Sequence, residues 1–201
     1  MFLVRKLRGH FFGPADLQVA PGQCIAIRGA SGCGKTVLLR AIVDLDPNEG
    51  DVSWRQQGRD DMPAPEWRRL VGFVPAETGW WADSVAAHFE PGPGADGLLE
   101  AVGLPIEAMQ WDVARLSTGE RHRLGLVRAL DRKPEVLLLD EPTASLDEDA
   151  TSRVEELLVH QLAADAAIIL VTHDPEQARR LASRTLMMEG GILSEIPASG
   201  P

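Results

Sequence analysis

Eight consecutive residues, Gly29-Ala30-Ser31-Gly32-Cys33-Gly34-Lys35-Thr36, restrict the folds open to this chain more than any other stretch. They match G-x-x-x-x-G-K-[ST] without a mismatch, and the flanks supply the context that this pattern needs. Cys24-Ile25-Ala26-Ile27-Arg28 reads as a short buried strand, and Thr36-Val37-Leu38-Leu39-Arg40-Ala41-Ile42 as a helix with an apolar face. Strand, glycine-rich turn and helix in that order form a cradle for phosphate. Gly29, Gly32 and Gly34 let successive backbone N–H groups converge on an anion, and the helix N-terminus adds partial positive charge. Lys35 is placed to bridge the terminal phosphates, and the Thr36 hydroxyl to ligate Mg2+.

A second strand carries the other half of such a site. Val136-Leu137-Leu138-Leu139 is an unbroken apolar run, as expected of a central parallel strand covered on both faces. Asp140 and Glu141 then fall at its carboxyl end, where open α/β sheets bind ligands. Asp140 is expected to reach the Mg2+ held by Thr36, and Glu141 to polarise a water aimed at a γ-phosphate. Ala167 to Thr172 repeats the apolar pattern and delivers His173-Asp174 at its own tip. There the histidine is placed to donate a hydrogen bond to that phosphate.

Between these strands lies Leu116-Ser117-Thr118-Gly119-Glu120, which leads into a helix with Leu124, Val127 and Leu130 at helical spacing. Ser117 and Glu120 form an S-x-x-E capping box, which leaves the N–H groups of Thr118 and Gly119 at an open helix end able to receive an anion. From Ala76 to about Leu116 strand signals stop, and short helical pieces (Asp83 to Phe89, Gly97 to Val102, Ile106 to Gln110) are separated by Pro91-Gly92-Pro93-Gly94 and Pro105. Phe2 to Leu7 and Asp16 to Ala20 read as an antiparallel edge, Gln56 to Pro65 as polar loop, and Leu70 to Val74 as a strand. Thr185 to Met188 and Gly191 to Ser194 read as a closing pair of strands, and Pro197 to Pro201 as a frayed tail. The expected fold is α/β: a mainly parallel central sheet, an antiparallel N-terminal edge and a small inserted helical lobe. Residues 1–201 then form one domain, with its core in 1–75 and 131–201 and the helical subdomain at about 76–130.

The net charge of −10 weighs against nucleic acid as the main partner, because such binding draws on basic groups that neutralise phosphates. Cys24 and Cys33 lack any pairing framework and read as reduced thiols in a cytosolic protein. No apolar run approaches the ~20 residues needed to cross a bilayer, so work at a membrane requires another chain to hold this one there.

Taken together in this order, the motifs resemble the nucleotide-binding subunit of ABC transporters over nearly the whole length. The Walker A motif is Gly29 to Thr36, with Val37 following it, and the Walker B motif with its catalytic glutamate is Val136 to Glu141. The signature motif is similar to Leu116 to Glu120, the D-loop to Ser145-Leu146-Asp147, and the switch histidine to His173. The resemblance implies a P-loop ATPase that uses ATP and Mg2+, in which two subunits face head to tail. ATP on the Walker A of one would then meet Ser117, Thr118 and Gly119 of the other. It also implies a transmembrane permease as partner, docked on the helical lobe beside Trp80, Trp81 and Phe89, and a place on the cytoplasmic face of the membrane. The competing classes are a soluble ABC-type ATPase that remodels nucleic acid or protein, and a P-loop kinase, which has no need of Leu116 to Glu120.

Three departures from the family pattern stand out. Ala76 takes the place of the usual glutamine after Val-Pro, and the neighbouring Glu77 is expected to substitute in part, since a carboxylate is a good Mg2+ ligand. Val37 replaces a common second hydroxyl, and Thr118 the first signature glycine. The N-terminal aromatic loop is short, and Arg8, His10, Phe11 or Phe12 either stacks on adenine or packs beneath the sheet. Arg121, His122 and Arg123, like Arg179 and Arg180, read as solvated helix faces.

Overall fold

The computed structural model describes residues 1–90 and 93–195; the expected break at Pro91-Gly92 and the tail Pro197 to Pro201 lie outside the described residues. The chain runs through β1 (Phe2–Gly9), β2 (Phe12–Val19) and β3 (Cys24–Arg28) into α1 (Lys35–Ile42). It continues through β4 (Glu49–Trp54), β5 (Gln57–Gly58), α2 (Ala64–Leu70) and β6 (Val71–Val74). Then come α3 (Asp96–Ala101), α4 (Thr118–Asp131), β7 (Val136–Asp140) and α5 (Glu148–Ala163). β8 (Ala167–Val171), α6 (Pro175–Leu181), β9 (Arg184–Glu189) and β10 (Ile192–Glu195) complete it.

Among the described residues the strands form two sheets, in the orders β2-β1-β4-β5 and β10-β9-β3-β8-β7-β6. The first is antiparallel throughout; the second is parallel except where β10 folds back on β9. The central strands β3, β7 and β8 have apolar residues at nearly every position because both their faces are covered. Their side chains alternate accordingly. Ile25, Ile27, Leu138 and Ile169 enter one core with α1 and the antiparallel sheet, whereas Cys24, Leu137, Leu139, Ile168 and Leu170 enter a second with α4 and α5. α1 is thus held between two sheets by Leu38, Leu39, Ala41 and Ile42, all fully buried. This pins the residues that begin it.

The structure departs from the sequence reading in the second polar stretch and in the inserted segment. Gln56 to Pro65, expected as loop, contains β5 and the start of α2. Apolar periodicity is hidden there because Trp67 and Arg59 do the burying. Trp67 is fully buried and its indole N–H donates to the Ile42 carbonyl, while Arg59 donates to the carbonyls of Ala41 and Gly50. Between β6 and β7 the expected helical piece Asp83 to Phe89 shrinks to a 3-10 turn at Ala86–His88, whereas that at Ile106 to Gln110 keeps its full extent, wound as 3-10 helix. Each is too short to bury an α-helical face of its own. α4 approaches this segment closely at Gly125, where a Cβ would lie 2.3 Å from the Thr78 side chain.

Candidate active site

The loop between β3 and α1 is built on positive φ angles: 153° at Gly29, 78° at Gly32 and 109° at Gly34. At Gly29 conformation and space both exclude a side chain, since a Cβ would sit 2.3 Å from the Met188 carbonyl oxygen of β9. Gly34 caps α1 without a side chain, and no acid occupies the first turn. The positive end of the helix therefore has no internal counter-charge. Lys35 folds back over the loop, its ammonium donating to the carbonyls of Gly29 (2.8 Å) and Ala30 (2.9 Å) and lying 3.8 Å from the Cys33 sulfur.

The carboxyl ends of β7 and β8 arrive opposite. The Thr36 hydroxyl donates to Asp140 Oδ2 at 2.6 Å. Asp140 is 2% exposed, and burial pushes its carboxyl above the ordinary range, against the opposing pull of the Thr36 hydroxyl and the Lys35 charge. Glu141, at φ 51°, leaves the strand line and donates its N–H to the Val171 carbonyl. Its Oε2 then lies 2.8 Å from His173 Nδ1. A carboxylate only accepts, so the ring proton sits on Nδ1. Phe11, Gly29, Ser31, Gly32, Gly34, Lys35, Thr36, Val37, Ala76, Asp140, Glu141 and His173 together line a cleft of about 420 Å3. Thr36 and Asp140 are hard oxygen donors of the kind Mg2+ takes beside substrate phosphates, so the residues present fit that ion.

The remaining sequence-predicted residues divide. Phe11, 66% exposed, lines the cleft with His10 packed edge-on against it, while Phe12 is buried. Ala76 lines the cleft, whereas the exposed Glu77 is not among its walls, contrary to the expected substitution. Ser117, Thr118, Gly119 and Glu120 stand outside the cleft of their own chain; Gly119 lies beside Ser145 and Leu146. The capping box forms as read: the Ser117 hydroxyl accepts the Glu120 N–H at 3.2 Å, and Glu120 Oε2 accepts both the Ser117 N–H and hydroxyl at 2.8 Å. That box brings its own anion to the helix end. The Ser117 backbone bond holds the Glu120 carboxyl below its ordinary value.

Of the two helix faces expected to be solvated, Arg179 and Arg180 are exposed, whereas Arg121, His122 and Arg123 are half-buried. Arg121 donates to the carbonyls of Leu116 and Val113, and Arg123 to those of Gly119 and Val102, tying α4 to the inserted segment. Arg180 grips Glu155 with two bonds of 2.7 Å, and beside it the buried Gln177 bonds Thr143. Nothing in the sequence marks Gln177, because its partners lie 22 and 34 residues away. In the inserted segment Trp81 is 69% exposed and Trp80 half-buried, and the Arg128 guanidinium lies over both rings. Among the described residues no helix is long and apolar enough to cross a membrane.

Comparison with known proteins agrees with this arrangement. Residues 12–144 match the family model described as ABC transporter. The chain is 40% identical to the aliphatic sulfonates import ATP-binding protein SsuB 2 of Paracoccus denitrificans, over 91% of this chain and 76% of that protein. It is 34% identical to a probable anion import ATP-binding protein of Haloferax volcanii, over 99% of this chain and 80% of that one. Among solved structures it resembles an ATP-binding subunit of an ABC transporter (TM-score 0.85, 22% identity, 97% of this chain and 90% of that chain). It also resembles a dimeric ATP-binding cassette bound to ADP and Pi (TM-score 0.82, 21% identity, 97% and 98%). With the phosphate loop, the acid pair and the capped helix in the places described, the chain belongs to the ABC transporter family as an ATP-binding subunit.

Proposed function

We propose that the protein hydrolyses Mg-ATP as one of a head-to-tail pair and so drives import of a small organic anion, of the aliphatic sulfonate class, through a separate permease. The observation that carries the reading is the meeting of β7 and the phosphate loop: Asp140 is on Thr36, and the next residue, Glu141, is on His173. Two adjacent acids thereby receive different work. Asp140 and Thr36 would hold Mg2+, which when bound offsets the negative charge of the phosphates. Lys35 exchanges its two loop carbonyls for the terminal phosphates, and Glu141 orients the attacking water and takes its proton.

His173 carries its proton toward Glu141, so Nε2 is an acceptor in the neutral ring. It donates to a γ-phosphate only after gaining a proton at Nε2, with the Nδ1 proton either kept in the imidazolium or passed to Glu141, which links the histidine to the base. The anion end of α4 in the second copy closes the site over the nucleotide. A single helix-end contact is worth ~0.3 to 2 kcal/mol, so Mg-ATP itself supplies most of the adhesion between copies. The segment 76–130 is the lobe that meets the permease on the cytoplasmic face, with Trp81 at its exposed edge. Import of anions is the work named for the relatives from Paracoccus denitrificans and Haloferax volcanii, and it supports this substrate class.

The test is to co-purify the chain with the membrane protein encoded beside it and reconstitute both in vesicles. ATP-driven uptake of an alkanesulfonate is expected, and it should cease in Glu141→Gln. Robust Mg-ATPase activity without uptake of any alkanesulfonate, sulfate or other small anion would remove the substrate class; absence of both would remove the motor itself.

A further inference from the structure

Behind the Glu141–His173 pair is a polar cluster that neither the sequence motifs nor the proposed chemistry uses. Gln177 of α6 is 1% exposed. Its amide N–H groups donate to the Thr143 hydroxyl at 2.8 Å and to Glu155 Oε1 of α5 at 3.2 Å. Glu155, 9% exposed, accepts both bonds of the Arg180 fork at 2.7 Å. From there Arg180 reaches Asp174 at 3.9 Å. Asp174 caps α6, accepting the Glu176 N–H, and its own N–H donates to Thr172.

The ends of this chain of contacts are what matter. Thr143 stands two residues after Glu141, and Asp174 follows His173 directly. The cluster therefore spans from the loop that follows the base to the loop that carries the switch histidine, across two helices that share no sheet hydrogen bond. Outside the cluster the bonds that tie these loops to the sheet are few: the Glu141 N–H to the Val171 carbonyl and the Thr172 N–H to the Ile27 carbonyl, with His173 held by the base itself. A purely structural cluster would be expected to satisfy itself. Here Gln177 Oε1 is buried with no partner among the described residues, so the amide is oriented by Thr143 and Glu155 at the cost of an unmet acceptor.

We propose, resting on the ATPase reading above, that Gln177, Glu155 and Arg180 are positioning residues: a brace that fixes the spacing of Glu141 and His173 and thereby sets turnover without touching nucleotide. The phosphate loop lies on the other side of this pair, between β3 and α1, so the brace acts on kcat and leaves nucleotide affinity alone. Gln177→Leu removes the donors together with the unmet oxygen, so the change in fold stability is small while the brace is cut. Thr143→Val cuts the same link from the other end at constant volume, and serves if the first variant fails to fold.

Two readouts decide the matter in the full chain. The first is the His173 imidazole tautomer by nitrogen NMR, assigned by the signal lost in His173→Ala, and it needs no turnover. Wild type should show the proton on Nδ1, and each variant a shift toward Nε2. The second is steady-state Mg-ATP hydrolysis. Each variant should lose about 10-fold in kcat, within what a misplacement of an ångström costs a reacting group, with KM for ATP within about twofold of wild type. A tautomer unchanged from wild type overturns the proposal, and so does normal kcat beside a changed tautomer. If wild type hydrolyses no ATP, the ATPase reading fails on that result, and the tautomer alone then decides whether the brace exists.

Discussion

α1 and α4 both begin at an end that, on the proposed function, meets nucleotide, yet the two ends are built on opposite plans. α1 starts from Gly34 with no side-chain cap and no acid in its first turn, while Lys35 leans over the loop. α4 starts from Ser117 with a complete capping box, and the carboxylate of Glu120 lies on the cap residue itself. The first end carries no acid of its own, Asp140 reaching Thr36 only from β7, and it holds a cation in reserve. The second has already met part of its charge with its own side chain. An end of the first kind captures a triphosphate unaided; one of the second kind adds only a small increment to a nucleotide held by another copy. This asymmetry explains how pairing can wait on ATP: neither surface alone is attractive enough, and the ligand must arrive first.

The largest expected effect tests the half of the site that does chemistry. Glu141→Gln keeps the phosphate loop and the Thr36–Asp140 contact, so ATP binding persists, while turnover falls on the order of 100-fold or more as expected for loss of a general base. Unchanged hydrolysis would show that the strong pole needs no base from β7. Asp140→Asn should stop Mg-dependent hydrolysis too, but it raises stability. Burial raises the Asp140 carboxyl above the ordinary aspartate value of 3.8. Its charge therefore costs folded stability at pH above that raised value, and the cost fades as pH falls toward 3.8. In nucleotide-free protein at pH 7 the asparagine variant should melt higher by about 2–4 °C, the shift that about 1 kcal/mol gives in a domain of this size. The advantage should shrink toward pH 4. A lower melting point at pH 7 would mean that the Thr36 bond outweighs desolvation.

How far the sequence reveals this contrast follows from the range of the interactions. The α1 end is legible because Gly29 to Thr36 supplies every group locally, and the β7 tip because burial on both faces writes an unbroken apolar run. The capping box is equally local, and Ser117 and Glu120 bond as their spacing implies. Gln177 and Glu155 escape detection because their partners lie 22 to 34 residues away, and Arg121 and Arg123 because a polar residue on a helix looks the same whether it faces water or a carbonyl. The stretch from Gln56 to Pro65 escapes for a related reason: one tryptophan and one arginine do the burying that a periodic apolar face usually announces. Ala76 and Glu77 show the limit of analogy, since chemistry suited to a metal ligand does not bring an exposed side chain into the cleft.

Chemical access separates the two cysteines along the same lines. Cys24 is buried at the start of β3 and burial pushes its thiol up to about 12, so it stays protonated and inert at neutral pH. Cys33 is half-buried in the phosphate loop, near Lys35. A maleimide should therefore label one site in the native chain and two after denaturation, and ATP should protect that one. Labelling of Cys24 in the native fold would mean that the sheet opens at β3.

The smaller effects probe α4, and they should have opposite signs. Ser117→Ala removes the hydroxyl that accepts the Glu120 N–H, for about 1 kcal/mol of stability and a melting point lower by about 2–4 °C. Glu120→Gln is subtler, because glutamine at this position still closes the box while the charge disappears. Loss of a favourable acid at a helix N-terminus costs an exposed site about 0.3–1 kcal/mol, so the free chain becomes slightly less stable. The same free energy is returned when a phosphate approaches, since the carboxylate no longer opposes it. ATP-dependent pairing should therefore tighten by about two- to fivefold, the equilibrium equivalent of that range. Below pH 4.5, the ordinary glutamate value, the two proteins should converge as Glu120, its carboxyl held lower by the Ser117 bond, takes up a proton on falling through its folded pKa. Sedimentation of both proteins with ATP in the Glu141→Gln background, where hydrolysis cannot dissolve the pair, measures the difference directly. If Glu120→Gln pairs more weakly, the carboxylate serves the partner's nucleotide rather than its own helix, and the two anion ends are alike after all.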